Sequence, residues 1–141
     1  MQQHILQNHG LHHHPSEHTG LFLSEHGKLG SIGVQVRHRL TTHGFAFNVT
    51  REPEAWFNQI VACGLPDVHA VSIERHCPTR PSAPLTAESE GRKIVPLFAG
   101  AFQRELVPLN ENEENAEILQ LVRSLEEEAV SLGNWPEAPV I

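Results

Sequence analysis

Apolar and polar positions alternate along this chain with two different periods. Residues 21–23 are a short apolar run, closed by the polar Ser24-Glu25-His26-Gly27. Beyond it, Ile32, Val34 and Val36 alternate with Gly33, Gln35 and Arg37, the two-residue period of a half-buried strand. These two runs predict a hairpin. A third run sets Phe45, Phe47 and Val49 on one face and Ala46 and Asn48 on the other. Three strands so close together predict an antiparallel or mixed sheet, with Lys28 and His43 at strand entrances where side chains project into a cleft.

Further on the period lengthens. Residues 53–60 fit one or two helical turns opened by Pro53, with Trp56 and Ile60 four apart on one face. Ile118, Leu121, Val122 and Leu125 form a stripe at helical spacing, preceded by Asn110 as an N-cap and Glu113 three residues later. The stripe reads as the packing face of a helix whose other face is solvated. Glu126, Glu127 and Glu128 near its C-terminal end oppose the helix dipole and predict fraying there.

Two segments lack either period. Residues 1–19 carry His4, His9, His12, His13, His14 and His18 and read as a flexible or peripheral lead-in. Residues 77–91 are rich in Pro, Ser, Thr and Glu, with Pro78, Pro81 and Pro84, and read as an extended insertion without functional residues. The sum is an α/β domain of the α+β kind over residues 20–141, a mixed sheet with flanking helices ending in an acidic helix.

Composition narrows the function classes. A chain of 141 residues fits one domain and can bury a core without disulfide staples. A net charge of −7 and the lack of any Lys/Arg-rich run argue against a nucleic-acid groove or an anionic membrane surface. Two cysteines do not make a secreted disulfide framework, so a reducing compartment is expected. No apolar run approaches the roughly 20 residues of a membrane helix. The start has neither a secretory pattern nor the Arg-rich amphipathic pattern of a mitochondrial leader, the first arginine being Arg37.

The candidate chemistry lies in two blocks. Lys28 stands in Gly27-Lys28-Leu29-Gly30-Ser31-Ile32-Gly33-Val34, and Cys63 stands in Val61-Ala62-Cys63-Gly64-Leu65-Pro66, a loop directly after the predicted short helix. A neighbouring cation favours the thiolate form of a cysteine, the form that attacks a thioester carbonyl. An acyl-cysteine is then open to an amine, which gives the more stable amide in a two-step course. Backbone amides around Gly44 or Gly64 are candidates for stabilising the oxyanion. Such chemistry requires no metal and no organic cofactor. Read singly, Cys63 is more often a small buried hydrophobe than a nucleophile and Lys28 a surface lysine after a turn, while His43 could equally be a partly buried, hydrogen-bonded histidine; the surrounding blocks reverse the reading for Cys63. Cys77 reads as a free thiol without catalytic meaning.

Three blocks taken together, Lys28-Leu29-Gly30-Ser31-Ile32-Gly33-Val34, Thr42-His43-Gly44-Phe45-Ala46-Phe47-Asn48-Val49 and Ile60-Val61-Ala62-Cys63-Gly64, resemble the lipoyl(octanoyl) transferase family in order and spacing, over about residues 19–75. The resemblance implies octanoyl transfer from acyl carrier protein to a lysine of lipoyl domains, in 2-oxoacid dehydrogenases and the glycine cleavage H protein. It implies Cys63 as the acyl-carrying nucleophile and Lys28 as its activator. It further implies Ser31, Ile32 and Gly33 with Gly44, Phe45 and Ala46 around the acyl chain, and His43 lining the same pocket. The implied fold is a sheet of the biotin and lipoate ligase type. The family's R-G-G-x-x-T-Y-H-G-P-G-Q motif belongs upstream of these blocks, and this chain has no tyrosine, so the resemblance covers a C-terminal half with the N-terminal half missing. The acidic tail and Pro-rich insertion exceed the compact bacterial form and tilt the expectation toward a eukaryotic, mitochondrial protein. Two other readings stand beside this one. One is an inactive or partner-dependent half-enzyme; the other is a His-rich metal-binding or interaction module, for which ordered ligand spacing is lacking.

Overall fold

In the computed structural model, residues 1–78, 84–109 and 115–133 are described. The chain runs through helix α1 (Gln2–His9), strands β1 (Leu21–Phe22), β2 (Gly27–Arg37) and β3 (Leu40–Phe47), and helix α2 (Glu52–Phe57). A 3₁₀ turn (Ala62–Gly64), strand β4 (His69–Ala70) and helices α3 (Ile73–His76), α4 (Ala87–Phe102) and α5 (Ala116–Leu132) follow.

The sheet is mixed, with β2 as its organising strand. β1 pairs antiparallel with the start of β2, β3 pairs antiparallel with it from Gly30↔Phe47 to Arg37↔Leu40, and β4 pairs parallel with Gly27 and Lys28. The expected α+β architecture, a mixed sheet with flanking helices, is what the molecule has. The β2–β3 turn places both His38 (φ 49°) and Arg39 (φ 68°) in the left-handed region, the backbone of a type I′ hairpin loop built here without glycine.

Burial divides β2 in two. Gly27, Lys28, Leu29 and Gly30 are buried, and every residue from Ser31 to Arg37 is exposed. The core gathers at the buried end, from Ile5 and Leu11 of the N-terminal segment, Leu21, Leu29, Val71 and Ile73. A side chain at Gly30 would be crowded there. A Cβ on it would fall 3.0 Å from the Ala46 carbonyl oxygen and 2.5 Å from Cε of Met1. The hairpin beyond is not half-buried as its alternation predicted: Val34 and Val36 are each about two-thirds exposed, at 67% and 68%.

Several other expectations need correction. Residues 1–19 are not a peripheral lead-in. They form α1, bury His4, Ile5 and His9, and bridge His14 to Phe22 at the sheet edge. Residues 77–91 are not all extended, because Thr86 and Ser89 form a capping box that starts α4 and buries Glu90. Residues 79–83 of that stretch lie outside the described residues. His43 sits mid-strand in β3 opposite Val34, not at a strand entrance.

The short helix α2 is present, but Trp56 and Ile60 are exposed; its buried member is Glu54. Helix α5 carries the predicted stripe with Ile118, Leu121, Val122 and Leu125 all exposed, and it continues through Glu126, Glu127 and Glu128 to Leu132. The proposed cap at Asn110 and Glu113 lies outside the described residues. Among the described residues no helix is long and apolar enough to cross a membrane.

Candidate active site

Lys28 is the second residue of β2, flanked by Phe22 of β1 and Ala70 of β4, and it is 9% exposed. Enclosure by strands on both sides removes most of the freedom a surface lysine would have. The Phe22 ring lies under the ammonium, 5.6 Å from Nζ to its centroid, a cation–π contact that offsets part of the desolvation. Gly20 makes room for the side chain. Its φ of +144° disfavours any L side chain, and a Cβ there would fall 2.6 Å from Lys28 Cε and 2.7 Å from the Gly30 carbonyl oxygen.

Cys63 occupies the 3₁₀ turn after α2, with φ 57° and ψ 21°, the left-handed region that a non-glycine residue adopts only at some cost. The next residue, Gly64, continues the reversal at φ 68°, and the Leu65 N–H closes the turn on the Ala62 carbonyl at 3.2 Å. This geometry exposes the thiol at the tip of the loop. The loop is tied down from both sides. Asn58 Oδ1 accepts the Ala70 N–H at 2.9 Å, and buried Glu54 accepts from Ser72 Oγ and Arg75 Nε, each at 2.5 Å.

These two placements meet. Lys28 Nζ donates toward Cys63 Sγ across 3.7 Å, joining residues 35 positions apart in the chain. Both line a cavity of about 240 Å³ walled by Leu29, Ser31, Ala46, Phe57 and Val68, with Asn48 as a polar member. Its size suits a single aliphatic chain better than a drug-sized or nucleotide ligand, whose sites run to about 300–1,000 Å³. Asn48 is held by its own side-chain bond to the Val71 carbonyl, 3.0 Å, so the wall it forms is fixed.

The remaining candidate residues divide by strand face. Ser31 and Ala46, a cross-strand pair, share the Lys28–Cys63 cavity. Ile32, His43, Gly44 and Phe45 line a second cavity of about 420 Å³, between the hairpin and α4. There the His43 ring stacks on Phe102 at 6.1 Å and Phe45 faces Phe98 at 6.3 Å. His43 therefore does not line the pocket of Cys63, because neighbouring strand residues point to opposite faces. Gly33 lies on the exposed arm of the hairpin, with open space where a Cβ would stand.

Sequence reading missed Gly20, Glu54 and Asn58. The signals were faint: one glycine ahead of an apolar run, one acid in a first helical turn and one turn asparagine.

Similarity to known proteins bears on the same region. An octanoyltransferase of Synechococcus elongatus is 33% identical over 114 residues, which is 80% of this chain and 46% of that protein. Over the part they share, this chain is similar to octanoyltransferases. An octanoyltransferase of Pelobacter propionicus is 35% identical over 88 residues, 62% of this chain and 39% of the relative. One from a Synechococcus strain is 42% identical over 95 residues, 66% and 34% of the two chains. The chain thus spans less than half the length of these octanoyltransferases. No family model and no solved structure matches it.

Proposed function

We propose that this chain carries the acyl-transfer centre of an octanoyltransferase, with Cys63 as nucleophile and Lys28 as its proton partner. The single observation behind the reading is the 3.7 Å approach of Lys28 Nζ to Cys63 Sγ at the mouth of an apolar cavity. A thiolate and an ammonium at this separation stabilise one another most where water is displaced, and β1, β4 and Phe22 displace it from Lys28.

The steps balance around that pair. The Cys63 thiolate attacks the thioester carbonyl of octanoyl-acyl carrier protein, forming a carbon–sulfur bond as the bond to the carrier sulfur breaks. Lys28 gives its proton to the departing carrier thiolate and becomes a neutral amine. The acceptor lysine amine then attacks octanoyl-Cys63, an amide forms, the Cys63 thiolate leaves, and Lys28 takes the proton shed by the new amide nitrogen. Both groups return to their starting states. The acceptors in this reading are lipoyl domains of 2-oxoacid dehydrogenases and the glycine cleavage H protein. The chain's own residues serve as acid and base, and the mechanism draws on no cofactor.

Intact mass of the chain after incubation with octanoyl-acyl carrier protein tests the first step. One octanoyl group should be gained by the chain, absent from Cys63→Ser and acquired more slowly by Lys28→Met. A folded chain that gains none would overturn the proposal for this polypeptide. A mitochondrial address follows only if the protein is eukaryotic, and imaging of the tagged full-length protein decides it.

A second reading has its own observation. Ile32, Val34 and Phe45 leave apolar surface exposed on the hairpin face that opens toward α4, as expected if activity needs a further polypeptide to cover it. Under that reading the isolated chain associates in solution, and acylation appears only once the partner is added.

A further inference from the structure

We propose that His4, His9 and Glu90 form a binding site for a divalent transition-metal ion of the zinc class, clipping α1 to α4. The three ligand atoms, two imidazole Nε2 and one carboxylate oxygen, lie within 4.8 Å of one another, and the three residues are all buried. Among the described residues this is the one such group. It is assembled from elements more than 80 residues apart in sequence, since α1 supplies both histidines and α4 the acid.

The donor set suits the ion. Imidazole nitrogen with carboxylate oxygen is the mixed, borderline set that zinc takes, and three protein ligands leave a fourth position for water. Tetrahedral bonds of about 2.0–2.2 Å place ligand atoms roughly 3.3–3.5 Å apart. Here Glu90 Oε2 lies 2.8 Å from His4 Nε2 and 2.7 Å from His9 Nε2, so the rings must retreat by roughly half an ångström as the ion replaces the shared protons.

The groups behind the ligands fit the same role. Lys93 Nζ holds the other carboxylate oxygen, Oε1, at 2.7 Å, which leaves Oε2 as a single-oxygen ligand. Asn8 Nδ2 lies 3.1 Å from His4 Nδ1 and donates to the His4 carbonyl at 3.2 Å, which ties that ring to its own helix. Burial holds the His4 imidazole below its ordinary value, against the upward pull of Glu90. Burial alone would raise the Glu90 carboxyl; Lys93 and His9 outweigh it and hold the value low. Exposed His12, His13 and His14 belong to no such arrangement.

The test uses the full chain stripped with chelator and titrated with Zn²⁺ and, separately, Co²⁺. One ion per chain is expected, with a rise in melting temperature because the ion binds the folded form. Co²⁺ should give the intense visible bands of a tetrahedral site. Binding should survive replacement of His12, His13 and His14 by Ala, and Glu90→Gln should weaken it beyond the roughly 10–100-fold that loss of an outer partner costs. Absence of stoichiometric binding, a pale octahedral cobalt spectrum, or loss of binding in the triple histidine variant would each overturn the site. The cobalt spectrum of the unmutated chain decides the matter even where Glu90→Gln fails to fold. None of these readouts depends on acyl transfer.

Discussion

The two ends of β2 obey opposite rules although they belong to one continuous strand. Its first four residues are covered by β1, β4 and the α1 segment, and they include Lys28. Its last seven run out with β3 as a two-stranded ribbon whose apolar side chains meet mostly solvent. Hydrogen-bond pairing is continuous through Arg37↔Leu40, so pairing alone does not create a site. Enclosure does: the lysine with a fixed direction and a thiol partner is the one at the covered end.

Mutations at the two ends should therefore differ most. Leu29→Ala, at a position with no exposed surface, should lower stability by about 2–5 kcal/mol. Val34→Ala, at 67% exposure, should stay within about 0.5 kcal/mol. Urea unfolding of both variants measures the gap, and equal losses would mean that the hairpin is covered in solution.

Gly20→Ala probes the covered end more narrowly. The added methyl meets Lys28 Cε and the Gly30 carbonyl, and the backbone there is unfavourable for alanine, so a loss of about 1–3 kcal/mol is expected. Acylation of Cys63 should slow by more than in Val34→Ala, because the lysine is displaced. A Gly20→Ala chain that loses stability yet acylates at the original rate would separate the position of Lys28 from the chemistry.

The smallest effect belongs to the open end. Arg39→Gly relieves a left-handed residue in the β2–β3 turn and should stabilise the chain by roughly 0.5–1 kcal/mol, read as a higher urea midpoint with octanoyl capture unchanged.

How much of this was legible in the sequence depends on the range of the signal. Strands announced themselves through alternation at Ile32, Val34 and Val36, and the Lys28–Cys63 partnership through blocks whose spacing resembles one family. The period-two rule also limits which strand residues can share a pocket. The side chains of His43 and Phe45 share one strand face and that of Ala46 lies on the other, so they could not all line one pocket; His43 and Phe45 line the cavity beside α4, with the Gly44 backbone, and Ala46 lines that of Lys28 and Cys63.

The N-terminal helix was hidden for a different reason. Its buried histidines are tolerable only because Glu90 arrives from α4, and no local pattern near His4 or His9 reports a carboxylate 81 or 86 residues away. Helix α4 was masked by composition. The prolines before Thr86 gave the whole stretch a low-complexity look, although Thr86 and Ser89 already spell a capping pair.

The loop that presents Cys63 carries a liability as well as an opportunity. The molecule has two free thiols in different settings: Cys63 exposed beside a cation, and Cys77 partly shielded with its S–H directed at the His9 carbonyl, 3.9 Å away. Peroxides and alkylating reagents therefore reach Cys63 first, and oxidation beyond the sulfenic stage would silence it permanently. The geometry that exposes this sulfur also makes it the more vulnerable of the two thiols in an oxidising environment.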